Sequence, residues 1–94
     1  MVNSMFHKVI KVVPTVDYKV YVYFEDGKIK LFDANELIMK GVFKQLQDKE
    51  LFVNSCIVMN GTLAWDVSGN SDESSCLDVD PEELYNSWPD VLSD

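Results

Sequence analysis

A chain of 94 residues with 47% hydrophobic content has room for one hydrophobic core and not for a second independent one, so it reads as a single domain over 1–94. Its charges are segregated: all eight lysines lie between Lys8 and Lys49, there is no arginine, and the nine acids from Asp66 onward meet no cation, within a formal net charge of −8. That balance argues against direct nucleic-acid binding, which needs cations to replace counterions on phosphates, and no apolar run approaches the roughly 20 residues of a membrane span.

The first elements are strands. "FHKVIKVVP" is a Val/Ile-rich run ended by Pro14, which has no amide to donate to a ladder. Broken by Lys11 and Pro14, it is not a secretory or membrane signal, and a cytoplasmic location is expected. "YKVYVYF" alternates strictly, with Val20, Val22 and Phe24 on one face and Tyr21 and Tyr23 on the other. Asp26-Gly27 then offers a tight hairpin turn, and "KIKLFD" alternates again, placing Ile29 and Leu31 opposite Lys28 and Lys30.

Asp33 is positioned to cap a short helix, with Glu36 three residues on as in a capping box, and the helix stops at Gly41. "VFKQLQDKELF" is either a turn of helix or a packed loop. "VNSCIVMNGTLAWD" predicts a second hairpin around Asn60-Gly61. A polar loop follows over about 66–77, in which "CLDV" is a short extended segment. Asp80 then caps a last helix, Pro81 takes its first position and Glu83 the reciprocal capping position; Leu84, Tyr85 and Trp88 supply its apolar contacts, and a tail follows residue 89. The expected fold is α+β: a small antiparallel sheet of two hairpins with a short central helix and a C-terminal helix. Val20, Val22, Phe24, Ile29, Leu31, Phe43, Phe52, Ile57, Trp65 and Leu84 are its expected core.

Chemistry-bearing constellations are scarce. Cys56 and Cys76 have no CxxC pairing and read as small hydrophobes in a reducing compartment, and His7, the single histidine, cannot build a His-rich metal site. Asp66, Ser68, Asn70 and Asp72 alternate like EF-hand ligands, but Gly69 falls at the fourth position instead of the sixth, and Leu77 stands where a bidentate Glu should close the sphere. A solvated loop is therefore expected, with no metal and no cofactor. Glu82 and Glu83 are explained by capping and the helix dipole, and neither a catalytic triad nor a glycine-rich phosphate loop is present. No enzyme is expected.

"VYFEDGKIKLFDANELIMKGVFKQLQDKELF", then "LAWD", then "DVDPEELY" resembles a family of small bacterial and phage proteins known as domain of unknown function 2442. The motifs are the Phe-x-Asp-Gly hairpin at Phe24 to Gly27, the Asp33 helix start, Gly41 with Phe43, Leu51-Phe52, the Trp65 strand, and Asp-x-x-Pro-Glu-x-Leu-Tyr from Asp78 to Tyr85. The linker from Trp65 to Asp78 is longer and more acidic than in such relatives. The resemblance implies a small α+β domain with an antiparallel sheet. It also implies a place beside a second short protein in toxin–antitoxin-like gene pairs, and it brings no catalytic residues; some members carry a helix-turn-helix appendage, for which no residues are expected to remain here.

The leading expectation is thus a protein-interaction module, the neutralising, antitoxin-like partner of a small basic toxin-like protein. Asp72, Glu73, Glu82 and Asp90 are the candidate partner-binding residues. The alternatives are an acidic nucleic-acid mimic that inhibits a nuclease or DNA-binding protein, and a small-ligand or calcium-binding domain.

Overall fold

The computed structural model describes residues 7–68 and 76–91. Two three-stranded antiparallel sheets carry the fold. The first is built from β1 (Val9–Pro14), β2 (Lys19–Phe24) and β3 (Ile29–Asp33) in that order, the second from β4 (Cys56–Met59), β5 (Thr62–Trp65) and β6 (Leu77–Asp78). Between the sheets in sequence lie two 3-10 segments, Leu37–Met39 and Gly41–Gln47, and helix α1 (Lys49–Asn54); helix α2 (Pro81–Ser87) follows β6. Each predicted hairpin is present and each gains a third strand, so the α+β expectation stands with two sheets in place of one. The Val9 amide donates to the Gly61 carbonyl at 2.9 Å, joining the start of β1 to the turn of the second hairpin.

The two hairpin turns differ, and the difference decides which side chains are inside. Asn60 and Gly61 both have positive φ (53° and 75°) between paired Met59 and Thr62, a two-residue turn whose twist matches the strands. The first turn is one residue longer. The Phe24 amide donates to the Lys28 carbonyl at 2.8 Å, leaving Glu25, Asp26 and Gly27 in the loop, and Gly27 takes φ +96°, a conformation that costs other residues dearly. Because side chains alternate with period two, this extra residue turns β3 over. Val20 faces Phe32 and Val22 faces Lys30. The expected inward pair Ile29 and Leu31 is instead half-buried on the outer face beside Tyr23 and Tyr21, while Phe32 and Lys30 are buried.

The central helix also differs from expectation. Asp33 makes a local Asx turn: its Oδ1 accepts from the Asn35 amide (2.9 Å) and from Asn35 Nδ2 (2.7 Å). Among the described residues, no side chain caps the Leu37–Met39 segment, which begins after Glu36. Short side-chain oxygens that bond their own backbone compete with helix initiation in this way. The α-helix comes later, where Asp48 accepts from the Glu50 amide at 3.1 Å and starts α1. The Gly41–Gln47 stretch is 3-10 helix, with Leu46 buried and Phe43 half-buried.

The core lies on the inner faces of both sheets. Val20, Val22, Phe24, Phe52, Trp65 and Leu84 are buried as expected, joined by Val9, Phe32, Ile38, Leu46 and Leu63. Ile57, like Ile29, Leu31 and Phe43, is only half-buried. All four residues of β5 are buried, because this strand runs between β4 and β6 and is covered on both faces. Trp65 packs against Phe52 with ring centroids 5.4 Å apart, and its Nε1 donates to the Phe52 carbonyl at 3.0 Å, which satisfies the polar edge of an otherwise apolar side chain. Both cysteines are thiols. Among the described residues, no helix is long and apolar enough to cross a membrane.

Candidate functional site

Helix α2 gathers most of the polar side chains that the fold brings together. Asp80 Oδ1 accepts from the Glu82 amide at 3.0 Å and Pro81 occupies the first turn, as the sequence predicts. Leu84 anchors the helix in the core. Tyr85, one position on, leaves that apolar face and stands at the centre of a network.

The Tyr85 ring lies perpendicular to Phe24 (5.0 Å, 87°) and stacks on His7 (3.5 Å, 12°). Its hydroxyl donates to Asp26 Oδ2 at 2.6 Å. One turn back, Glu82 receives the His7 amide at 2.8 Å, and its two oxygens lie 3.0 and 3.1 Å from His7 Nδ1. On the other side, the Lys30 ammonium sits 5.2 Å from the Tyr85 ring and 2.6 Å from Asp90 Oδ1, with Lys28 3.7 Å from the second oxygen. Backbone bonds hold the tail there: the Leu31 amide donates to Pro89 O (3.1 Å) and the Val91 amide to Ile29 O (2.7 Å). Residues 89–91 thus cover the open edge of β3.

The electrostatics follow from these partners. Asp26 is held below the usual carboxylate range, chiefly by the Tyr85 hydroxyl and then by the Lys28 amide. Glu82 is lowered mainly by the His7 amide, and Asp90 mainly by its bond from Lys30. Tyr85 is raised, because its proton is shared with the Asp26 carboxylate. Carboxylates stabilised as anions are weak proton acceptors, so the network suits holding elements together better than acid–base chemistry. Burial pushes the Cys56 thiol up to about 12, far from a reactive thiolate.

Of the four residues singled out in the sequence, Glu82 and Asp90 flank Tyr85 and each is engaged within the chain, while Asp72 and Glu73 lie outside the described residues. Asn70, one of the four alternating loop oxygens, also lies outside them. Ser68 Oγ is 3.2 Å from Asp66 Oδ1. Among the described residues Glu83 makes no capping contact, and it stands exposed at the rim of a second feature. This is a small groove of about 120 Å³ between α2 and the segment after β3, where Phe32, Leu37, Val79 and Trp88 meet Asp33, Glu36, Glu83 and Lys40. Trp88 stands perpendicular to Phe32 (5.0 Å, 86°), and its Nε1 is buried without an acceptor among the described residues. Asp33 is held below the usual carboxylate range by Asn35, so it stays ionised.

Neither the Tyr85 network nor the groove was visible in local sequence. Their members come from segments far apart in the chain, and no spacing rule links His7 to Glu82 or Lys30 to Asp90. Glu82, read as a helix-dipole residue, turns out to hold the start of β1. The one available signal was Lys30 itself, a cation in a strand whose parity depends on a turn of either two or three residues.

No curated protein and no solved structure matches this chain. The family described as "Protein of unknown function (DUF2442)" matches residues 9–90; that span takes in both sheets, α2 and the tail pairing on β3, and the chain belongs to this family.

Proposed function

We propose that the protein is a non-enzymatic interaction module that binds a small basic protein, as the neutralising member of a toxin–antitoxin-like pair. One observation carries the reading: from Asp66 onward the chain has nine acids and no cation. Of these, Asp78, Asp80, Glu83 and Asp90 are exposed. Such a surface projects a negative field that speeds encounter with a positive one and weakens as salt screens it. The internal pairing of Glu82 and Asp90 moves the recognition role toward the remaining acids. It also counts against a nucleic-acid mimic, which needs its carboxylates spread as an unpaired array.

The test is capture of the partner by the full chain from its native cell, followed by association kinetics. Replacing Asp72, Glu73 and Asp78 with Asn or Gln alters none of the residues that build the Tyr85 network. This variant should associate several-fold more slowly at low salt, with a flatter salt dependence. Unchanged rates across salt concentrations would reduce the acidic third to a solubility feature.

A further inference from the structure

We propose that the groove between α2 and the segment following β3 is a socket for one long cationic side chain, a lysine or arginine, presented by the basic protein partner. The inference rests on the interaction reading above and names where and how that partner is gripped. The groove, about 120 Å³, has room for a single side chain. Its apolar lining is Phe32, Leu37, Val79 and Trp88, two of which, Phe32 and Val79, are nearly inaccessible and so form a floor. Three carboxylates, Asp33, Glu36 and Glu83, stand against one ammonium, Lys40.

That combination selects an amphipathic cation. A bare inorganic ion would gain nothing from an apolar floor, and an apolar side chain would gain nothing from three carboxylates. A lysine or arginine matches both, with its methylene stem on the apolar lining and its charge at the carboxylates. The indole of Trp88 adds an aromatic face of the kind that attracts cations, and the edge contact with Phe32 holds it in place. The carboxylates are available for the task. Asp33 is ionised through its bonds from Asn35, and neither Glu36 nor Glu83 has an ion-pair partner among the described residues.

The experiment is an NMR titration of the full, isotope-labelled chain with three small probes: the N-acetyl methylamides of lysine, arginine and norleucine. The expected result is a saturable shift of the Trp88 indole resonance and of the Leu37 and Glu83 amides with lysine and arginine, and binding at least fivefold weaker with norleucine. The double variant Glu36→Gln/Glu83→Gln, altered only at exposed positions, should weaken the lysine probe at least fivefold, while Asp78→Asn should not. Equal binding of norleucine, retention of the shifts in the double variant, or shifts that never saturate and scatter over all acids would each overturn the socket. With a captured partner the two readings separate. If Asp72, Glu73 and Asp78 govern its association but Glu36→Gln/Glu83→Gln leaves its affinity unchanged, the socket fails and the acidic steering stands. The opposite pattern retains the socket and discards the steering.

Discussion

Lys30 and Asp90 meet across the free edge of β3, Nζ to Oδ1 at 2.6 Å, so that a lysine on the inner face of the first sheet is neutralised by a carboxylate from the tail. The Lys30 side chain is 10% exposed and that of Asp90 48%. Removing the carboxylate therefore leaves a nearly buried charge without a counter-ion among the described residues, whereas removing both charges does not. Asp90→Asn should lower the melting temperature by several degrees, and adding Lys30→Met should recover part of the loss. Thermal unfolding of the two single variants and the double variant checks this; equal melting temperatures for the wild type and Asp90→Asn would dismiss the pair as a stabilising contact.

Stability should fall at both ends of the pH scale. Asp26, Asp33, Glu82 and Asp90 are all lowered in the folded chain, so the unfolded chain binds more protons in acid. Their contribution is present above the ordinary carboxylate range and is lost as pH falls below about 4. Tyr85 is raised, so its contribution is present below the ordinary tyrosine value and is lost as pH rises through its folded one. Tyr85→Phe should remove the alkaline loss and reduce the acid one, since Asp26 loses the first of the causes that lower it. A melting-temperature profile from pH 3 to 11 reads both limbs, and an alkaline limb identical in Tyr85→Phe would show that another group causes it.

The register of β3 can be read by mutation. Phe32 is 4% exposed on the core face, and Phe32→Ala should cost about 3–5 kcal/mol, as large truncations in packed cores do. Leu31, half-buried on the outer face, should cost about 1 kcal/mol on truncation to alanine. Chemical denaturation gives both values, and the reverse order would mean that the hairpin closes through a two-residue turn.

The same turn makes a prediction at Gly27. A Cβ there meets nothing within 4 Å, so only the φ of +96° opposes substitution. Gly27→Ala should therefore destabilise by about 1–2 kcal/mol through backbone strain alone. Denaturation with an unchanged slope and a shifted midpoint would fit; no shift in midpoint would mean that the loop relaxes to another turn.

Cys56 should resist thiol reagents in the native chain. Its thiol is pushed up to about 12 by burial, so almost no thiolate exists at neutral pH. Cys56 is half-buried, so labelling followed by peptide mass mapping should find it modified far more slowly in the native chain than in denaturant, and equal rates in the two would contradict the raised thiol.

Local sequence determined the elements whose physics is local. Val20, Val22 and Phe24 alternate on β2 because period two is a property of one strand, the Asn60-Gly61 turn needs only two residues that accept positive φ, and Asp80-Pro81 starts α2 with its own side chain and ring. The tertiary structure alone decided three things. The inner face of β3 depends on whether Glu25 belongs to the strand or the loop, a choice made by packing Phe32 against the core. The start of the central helix passed from Asp33 to Asp48, because Asn35 captured the Asp33 carboxylate and α1 could bury Phe52 against Trp65. The roles of Glu82, Tyr85 and Asp90 depend on His7, Asp26 and Lys30, partners that only chain folding brings within hydrogen-bonding distance. Side-chain pairing between distant residues is a matter of position in space, and residue spacing along a chain carries no record of it.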